Sequence, residues 1–152
     1  IGSMRTATHR PALNSRIQIL DHTADIGIQV QADSLPELLI GAGRAMMRIM
    51  VEELPAAGEV TVPVRISFDD YEQLLVHWLS ELNYLLQIKR VLFLGCRDAV
   101  LTTDQLSCTV QGAAVTAGRM KWRTEIKAVT YHNILLQQRA DRTWEARAYF
   151  DV

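Results

Sequence analysis

Apolar residues recur along this chain with two different periods, and the switches between them mark its elements. Ile26, Ile28 and Val30 alternate with Gly27 and Gln29, which predicts a strand with one buried face. Ser34-Leu35-Pro36-Glu37 then carries helix-start chemistry. Ser34 can cap free N–H groups, Glu37 stands where a capping box needs it, and Pro36 fits the first turn. Leu35, Leu38, Leu39, Ala42, Ala45, Met46, Ile49 and Met50 follow at helical spacing, and Pro55 and Gly58 end the run. Val60, Val62, Val64, Ile66 and Phe68 alternate strictly and predict a second strand. Pro63 lacks an N–H, which assigns that strand to a sheet edge. Asp69-Asp70 puts carboxylates at the start of a second helix, where they suit both cap and dipole. That helix carries Leu74, Leu75, Trp78, Leu79, Leu82, Leu85 and Leu86 and is the most hydrophobic helical stretch of the chain.

Beyond it the pattern shortens. Residues 91–94, 99–102 and 105–110 read as short strands, 125–137 as a longer one and 143–150 as the last, with Asp141-Arg142 as a hairpin turn. Residues 112–118 form the loosest loop. Two helices among many antiparallel strands predict an α+β fold: an antiparallel or mixed sheet with both helices packed on one face, in a single compact domain. That domain covers residues 17–152. Ile1-Gly2-Ser3 looks like a cloning remnant ahead of Met4. Residues 1–16 are read as a disordered or tag-derived segment, without the apolar core of a secretion signal.

Composition narrows the function. A length of 152 residues fits one domain with a sizeable core. A formal net charge of −1 gives no support to a general nucleic-acid coat. Cys96 and Cys108 form no C-x-x-C pair, which excludes a zinc ribbon and points to a reducing, cytoplasmic setting. No apolar run reaches the length of a membrane span, so no membrane partner is expected. Nucleophile elbow, P-loop, dinucleotide fingerprint and RNA-recognition motif are all missing from the sequence. The lack of a credible nucleophile–base pair lowers the enzyme hypothesis.

Three groups of residues carry possible chemistry. The stretch "DHTAD", residues 21–25, packs two carboxylates and an imidazole ahead of the first predicted strand. By local pattern alone, Asp21 and Asp25 are turn residues and His22 is a strand-edge residue; the cluster is not a complete metal site. In the last strand, Glu145, Arg147, Tyr149 and Asp151 alternate with Trp144, Ala146, Ala148 and Phe150. Asp151 then stands beside the α-carboxylate of Val152, and two fixed negative charges this close repel unless a cation intervenes. If Asp25 faces the same point, three carboxylates could bind calcium or magnesium. A frayed end, with the repulsion screened by water, is the simpler alternative. The third group is Lys127, Thr130, Tyr131, His132 and Asn133, which reads either as an active-site edge or as the solvent face of an amphipathic strand. On the second helix, His77, Glu81 and Tyr84 share one side. Glu81 is there either solvated or partly buried against a cation.

Taken together, "LDHTADIGIQVQA", a capped helix, "LLVHWLSELNYLL", "EIKAVTYH" and the closing "YFDV" resemble the archease family, in the family's order and over residues 17–152. The resemblance implies an accessory protein of the RtcB-type RNA ligase, which joins tRNA halves after intron removal. Archeases promote guanylylation of the ligase histidine and its repeated turnover. An alternative implied role is a chaperone-like specificity factor for a tRNA 5-methylcytosine methyltransferase; contact with tRNA itself would be indirect. Carried over, the family's metal site corresponds to Asp25, Asp151 and the carboxylate of Val152. Calcium is the expected ion, with magnesium or manganese as alternatives. His22, Glu81, Lys127 and His132 match family motif positions and are expected around that site. Ser80, Asn83 and the loop at 112–121 depart from the family pattern. A metal-dependent phosphoesterase using the same carboxylates is the competing expectation.

Overall fold

The computed structural model describes residues 3–7, 15–21, 25–116, 118 and 120–152. Its strands form two antiparallel sheets. The first has the order β1 (Ser3–Ala7), β2 (Ser15–Asp21), β3 (Asp25–Ala32), β9 (Trp144–Asp151) and β7 (Ala128–Val129), and β8 (Leu135–Gln138) also pairs with β9. In the second, β6 (Gln105–Ala114) lies between β4 (Val60–Ser67) and β5 (Val91–Leu101). Residues 3–7, set aside in the sequence reading, thus pair as β1 with β2.

Both helices begin as their sequences dictate. At the start of α1 (Leu35–Met50), Ser34 Oγ accepts the Glu37 N–H at 3.3 Å and donates to Glu37 Oε1 at 3.0 Å. At the start of α2 (Tyr71–Gln87), Asp70 Oδ1 accepts the Gln73 N–H at 2.8 Å, while Gln73 Oε1 accepts the Asp69 N–H at 2.9 Å. Each arrangement satisfies amide groups that the first turn leaves without partners.

The fold is α+β with two helices, as expected, but the helices touch both sheets. The clearest sign is on α1, which is buried around most of its circumference, as a helix covered on two sides must be. A Cβ added at Gly41 would lie 3.0 Å from Val30 on β3, and one at Gly43 would lie 2.6 Å from Phe93 on β5. Backbone therefore approaches one sheet at Gly41 and the other at Gly43. Between α2 and β5, Trp78 packs edge-on against Phe93 with ring centroids 5.6 Å apart, and its indole N–H donates to the Leu39 carbonyl at 2.8 Å. The buried Arg44 donates to the Leu94 carbonyl, so this cation enters the core already hydrogen-bonded.

Pro63 lies on β4, which among the described residues has β6 as its only strand neighbour, in keeping with its missing N–H. Two strand expectations need correction. The strands expected at 91–94 and 99–102 are one strand, β5, which continues past register shifts at Phe93/Gly95 and Arg97/Val100 and ends at Leu101. Residues 125–137 do not form one strand. A turn separates β7 from β8, with the Ile134 N–H donating to the Tyr131 carbonyl at 3.3 Å and Asn133 at φ +54°. Left-handed backbone of this kind suits asparagine and ends strand pairing locally. Among the described residues, no helix is long and apolar enough to cross a membrane.

Candidate metal centre

The period of two in β3 and β9 sends Ile28, Val30, Ala146, Ala148 and Phe150 into the core. The intervening residues occupy the outer face, where the register pairs Asp25 with Asp151, Gly27 with Tyr149, Gln29 with Arg147 and Gln31 with Glu145. Residues directly opposite in an antiparallel pair share a face, with Cβ atoms roughly 4.5–5.5 Å apart. Asp25 and Asp151 are therefore cross-strand neighbours, the first half-buried and the second exposed. Among the described residues, neither carboxylate has a hydrogen-bond or ion-pair partner. Like charges placed this way destabilise a sheet until something positive comes between them.

The pair is held in place by its surroundings. Asp151 is bracketed by β3 on one side and β7 on the other, where Ala128 stands opposite it and the Lys127 N–H donates to its carbonyl at 2.7 Å. Residues 144–151 are thus paired on both sides rather than frayed. One step along the same face, the Tyr149 ring lies over Gly27, so close that a Cβ there would come within 2.6 Å of Cδ1. The Thr130 N–H and O–H both donate to the Tyr149 carbonyl, at 3.0 and 3.1 Å. The His132 ring stands 6.2 Å from the Tyr149 ring, tilted. Sequence reasoning missed Gly27 and Tyr149 as supports of the site and left Thr130 open between an active-site edge and a solvent face. The available signal was a glycine inside an otherwise regular strand, which marks a close approach.

Of the residues singled out in the sequence, Asp25 and Asp151 are brought together. Val152 follows directly, with its side chain packed against the core. Lys127 is exposed and meets Asp151 through its backbone N–H. His132 borders the site through Tyr149. Glu81 is half-buried on α2, has no hydrogen bond or ion pair among the described residues, and is not joined to either aspartate by any contact. His22 lies outside the described residues.

Two carboxylates on an accessible face are hard oxygen donors and fit a hard divalent cation. They are only part of a coordination shell. Among the described residues, no three His, Cys, Asp or Glu side chains come together as a metal-holding group. Further donors would have to come from the Val152 α-carboxylate, from water or from whatever the protein meets.

Comparison with known proteins places this chain in a family. The model of the Archease protein family matches residues 18–152. The archease of Methanosarcina acetivorans is 31% identical over 148 residues, covering 93% of this chain and 99% of its own length. An archease-like protein of Drosophila melanogaster is 32% identical over 121 residues, covering 76% of each. A solution structure from Methanobacterium thermoautotrophicum superposes with a TM-score of 0.65 at 28% identity, covering 88% of this chain and 96% of its own. The crystal structure of a Thermotoga maritima archease shares the fold with a TM-score of 0.58 at 18% identity, over 97% of this chain and 99% of its own. The chain belongs to the archease family.

Proposed function

We propose that this protein is a metal-binding accessory factor that activates an RtcB-type RNA ligase in tRNA splicing or RNA repair. The observation that carries the reading is the Asp25–Asp151 pair: two carboxylates held opposite each other with no cationic side chain between them among the described residues. Family membership supplies the context of an accessory protein. Asp25, Asp151 and the Val152 α-carboxylate would hold the divalent ion, calcium first and magnesium or manganese as substitutes. Bound there, the ion would cancel the carboxylate repulsion and offer a positive centre to a phosphate oxygen. The chain's own contribution is rigidity. Pairing on both sides of β9, the Tyr149 ring over Gly27 and the Thr130 bonds to Tyr149 keep the pair open and aligned for a docking partner.

The reading makes a two-part prediction. Calorimetric titration with calcium should give saturable binding that Asp25→Ala or Asp151→Ala reduces at least about tenfold, because either change removes one of few charged donors. A residue added after Val152 should also weaken binding, although no side chain is lost. The second part adds the protein to a cognate RNA ligase with GTP and follows guanylylation of the ligase histidine. Absence of stimulation would sink the accessory role, and full stimulation by Asp25→Ala would remove the metal from it. Recovery of an RNA methyltransferase instead of a ligase from cell extract, or turnover of phosphoesters by the isolated protein, would replace this reading with the corresponding alternative.

A further inference from the structure

A second concave site lies beyond the C-terminal end of α2, against the segment that leads into β7. It is a cleft of about 450 Å³ whose lining includes Gln87, Arg90, Trp122, Arg123, Thr124 and Glu125. Its walls are fixed by backbone. Trp122 forms an isolated β-bridge with Val51, the Arg123 N–H donates to the Met50 carbonyl at 2.7 Å, and the Glu52 N–H donates to the Lys121 carbonyl at 3.0 Å. Arg90 sits at φ +60°, a left-handed conformation that is unfavourable for arginine, and its carbonyl accepts the Val115 N–H at 2.8 Å. Such backbone persists where surrounding contacts over-determine it, and it concentrates at binding sites.

The side chains in this cleft form a recognisable set. Trp122 leaves 45% of its surface exposed, whereas Trp78 is fully buried in the core. Neither Arg90 nor Arg123 has a carboxylate partner among the described residues, although both are exposed beside Glu125. The Gln87 amide nitrogen is committed to Asn83 Oδ1 at 2.7 Å and to the Ile126 carbonyl at 2.6 Å, which leaves its Oε1 as an acceptor. A flat indole stacks on a planar aromatic base, and guanidinium groups clamp phosphate oxygens. Amide and carboxylate oxygens take up exocyclic amines or ribose hydroxyls. A volume near 450 Å³ is in the range of small-ligand sites.

We propose that this cleft binds a nucleotide, with the base on Trp122 and the phosphate on Arg90 and Arg123, supplied either as a free mononucleotide or as one unit of a single-stranded RNA. The site needs no metal at Asp25 and Asp151. It is nevertheless tied to that pair, because residues 122–127 run from the cleft to the Lys127 N–H that bonds the Asp151 carbonyl. An occupied cleft would stiffen the segment that holds β9.

The test is calorimetric titration of the full chain in chelator-containing buffer with AMP, GMP, inorganic phosphate and a short single-stranded oligoribonucleotide. Saturable binding of the mononucleotides or the oligonucleotide is expected. Trp122→Leu, and Arg90→Asn combined with Arg123→Gln, should each weaken it about tenfold. Asparagine at position 90 keeps the left-handed backbone while removing the charge. The double variant carries the test should Trp122→Leu fail to fold in a thermal melt. Equal affinity for mononucleotide and oligonucleotide assigns the free nucleotide as ligand, and binding of the oligonucleotide alone assigns an RNA strand. Asp25→Ala should bind as the unaltered protein does, which separates this site from the acidic pair. The proposal is overturned if neither nucleotide nor oligonucleotide binds, if both variants bind normally, or if inorganic phosphate binds as tightly as AMP.

Discussion

Gly27 and Tyr149 show how much a single missing methyl group can decide. The Tyr149 ring occupies the space that any other side chain at Gly27 would need, and the ring in turn lies beside the Asp25–Asp151 pair. Gly27→Ala would put a Cβ 2.6 Å from Cδ1 and 3.0 Å from the Ala148 carbonyl, so both ring and backbone must shift. The expected loss is about 1–3 kcal/mol, measured by urea unfolding. Calcium affinity should fall with it if the ring aligns the pair. Alternation in the sequence shows Gly27 as a gap in a strand face. It cannot show what fills the gap, because a period of two tells which residues share a face and not which strand lies alongside.

The helices were the most legible elements. Ser34 and Asp70 announce their starts through local hydrogen bonds, and chemistry confined to three or four residues is readable without the rest of the fold. The environment of α1 was less so. An apolar stripe reports one buried face, whereas Gly41 and Gly43 are buried because two sheets press on the helix. Gly43→Ala tests this. Alanine favours helix by about 1 kcal/mol over glycine, yet its Cβ would meet Phe93 at 2.6 Å and Leu82 at 2.7 Å. Leu82 can rotate, but the Phe93 ring is held edge-on by Trp78, so overpacking should win and leave a net loss of about 1 kcal/mol in chemical denaturation. The break between β7 and β8 was invisible for the opposite reason. "EIKAVTYHNILLQQ" keeps strand-like content throughout, yet a turn over residues 131–134, with left-handed backbone at Asn133, interrupts it.

Across the molecule, the candidate site depends on topology rather than on any local motif. Nothing in "DHTAD" points to residue 151. Family resemblance suggested the partner, and the β3–β9 register supplies a physical reason for the two to meet. Part of the site's electrostatics can be tested without a partner protein. In chelator and low salt, Asp25→Asn should raise stability by about 0.2–1 kcal/mol, because it removes one of two opposed charges, and added salt should shrink the gain. In excess calcium the order should reverse, since the unaltered protein would gain more binding energy in the folded state than the variant.

Most of the chain separates β3 from β9, and this has a consequence for biosynthesis. Both helices and the β4–β6–β5 sheet lie between them in sequence and can assemble while residues 144–151 are still in the ribosome's exit tunnel. During that interval β3 presents an open hydrogen-bonding edge, the kind of surface that recruits foreign strands. Arrival of residues 144–151 closes the edge and creates the acidic pair in the same event. A molecule that bound Asp25 and Asp151 together would therefore recognise only chains in which residues 144–151 have already joined β3.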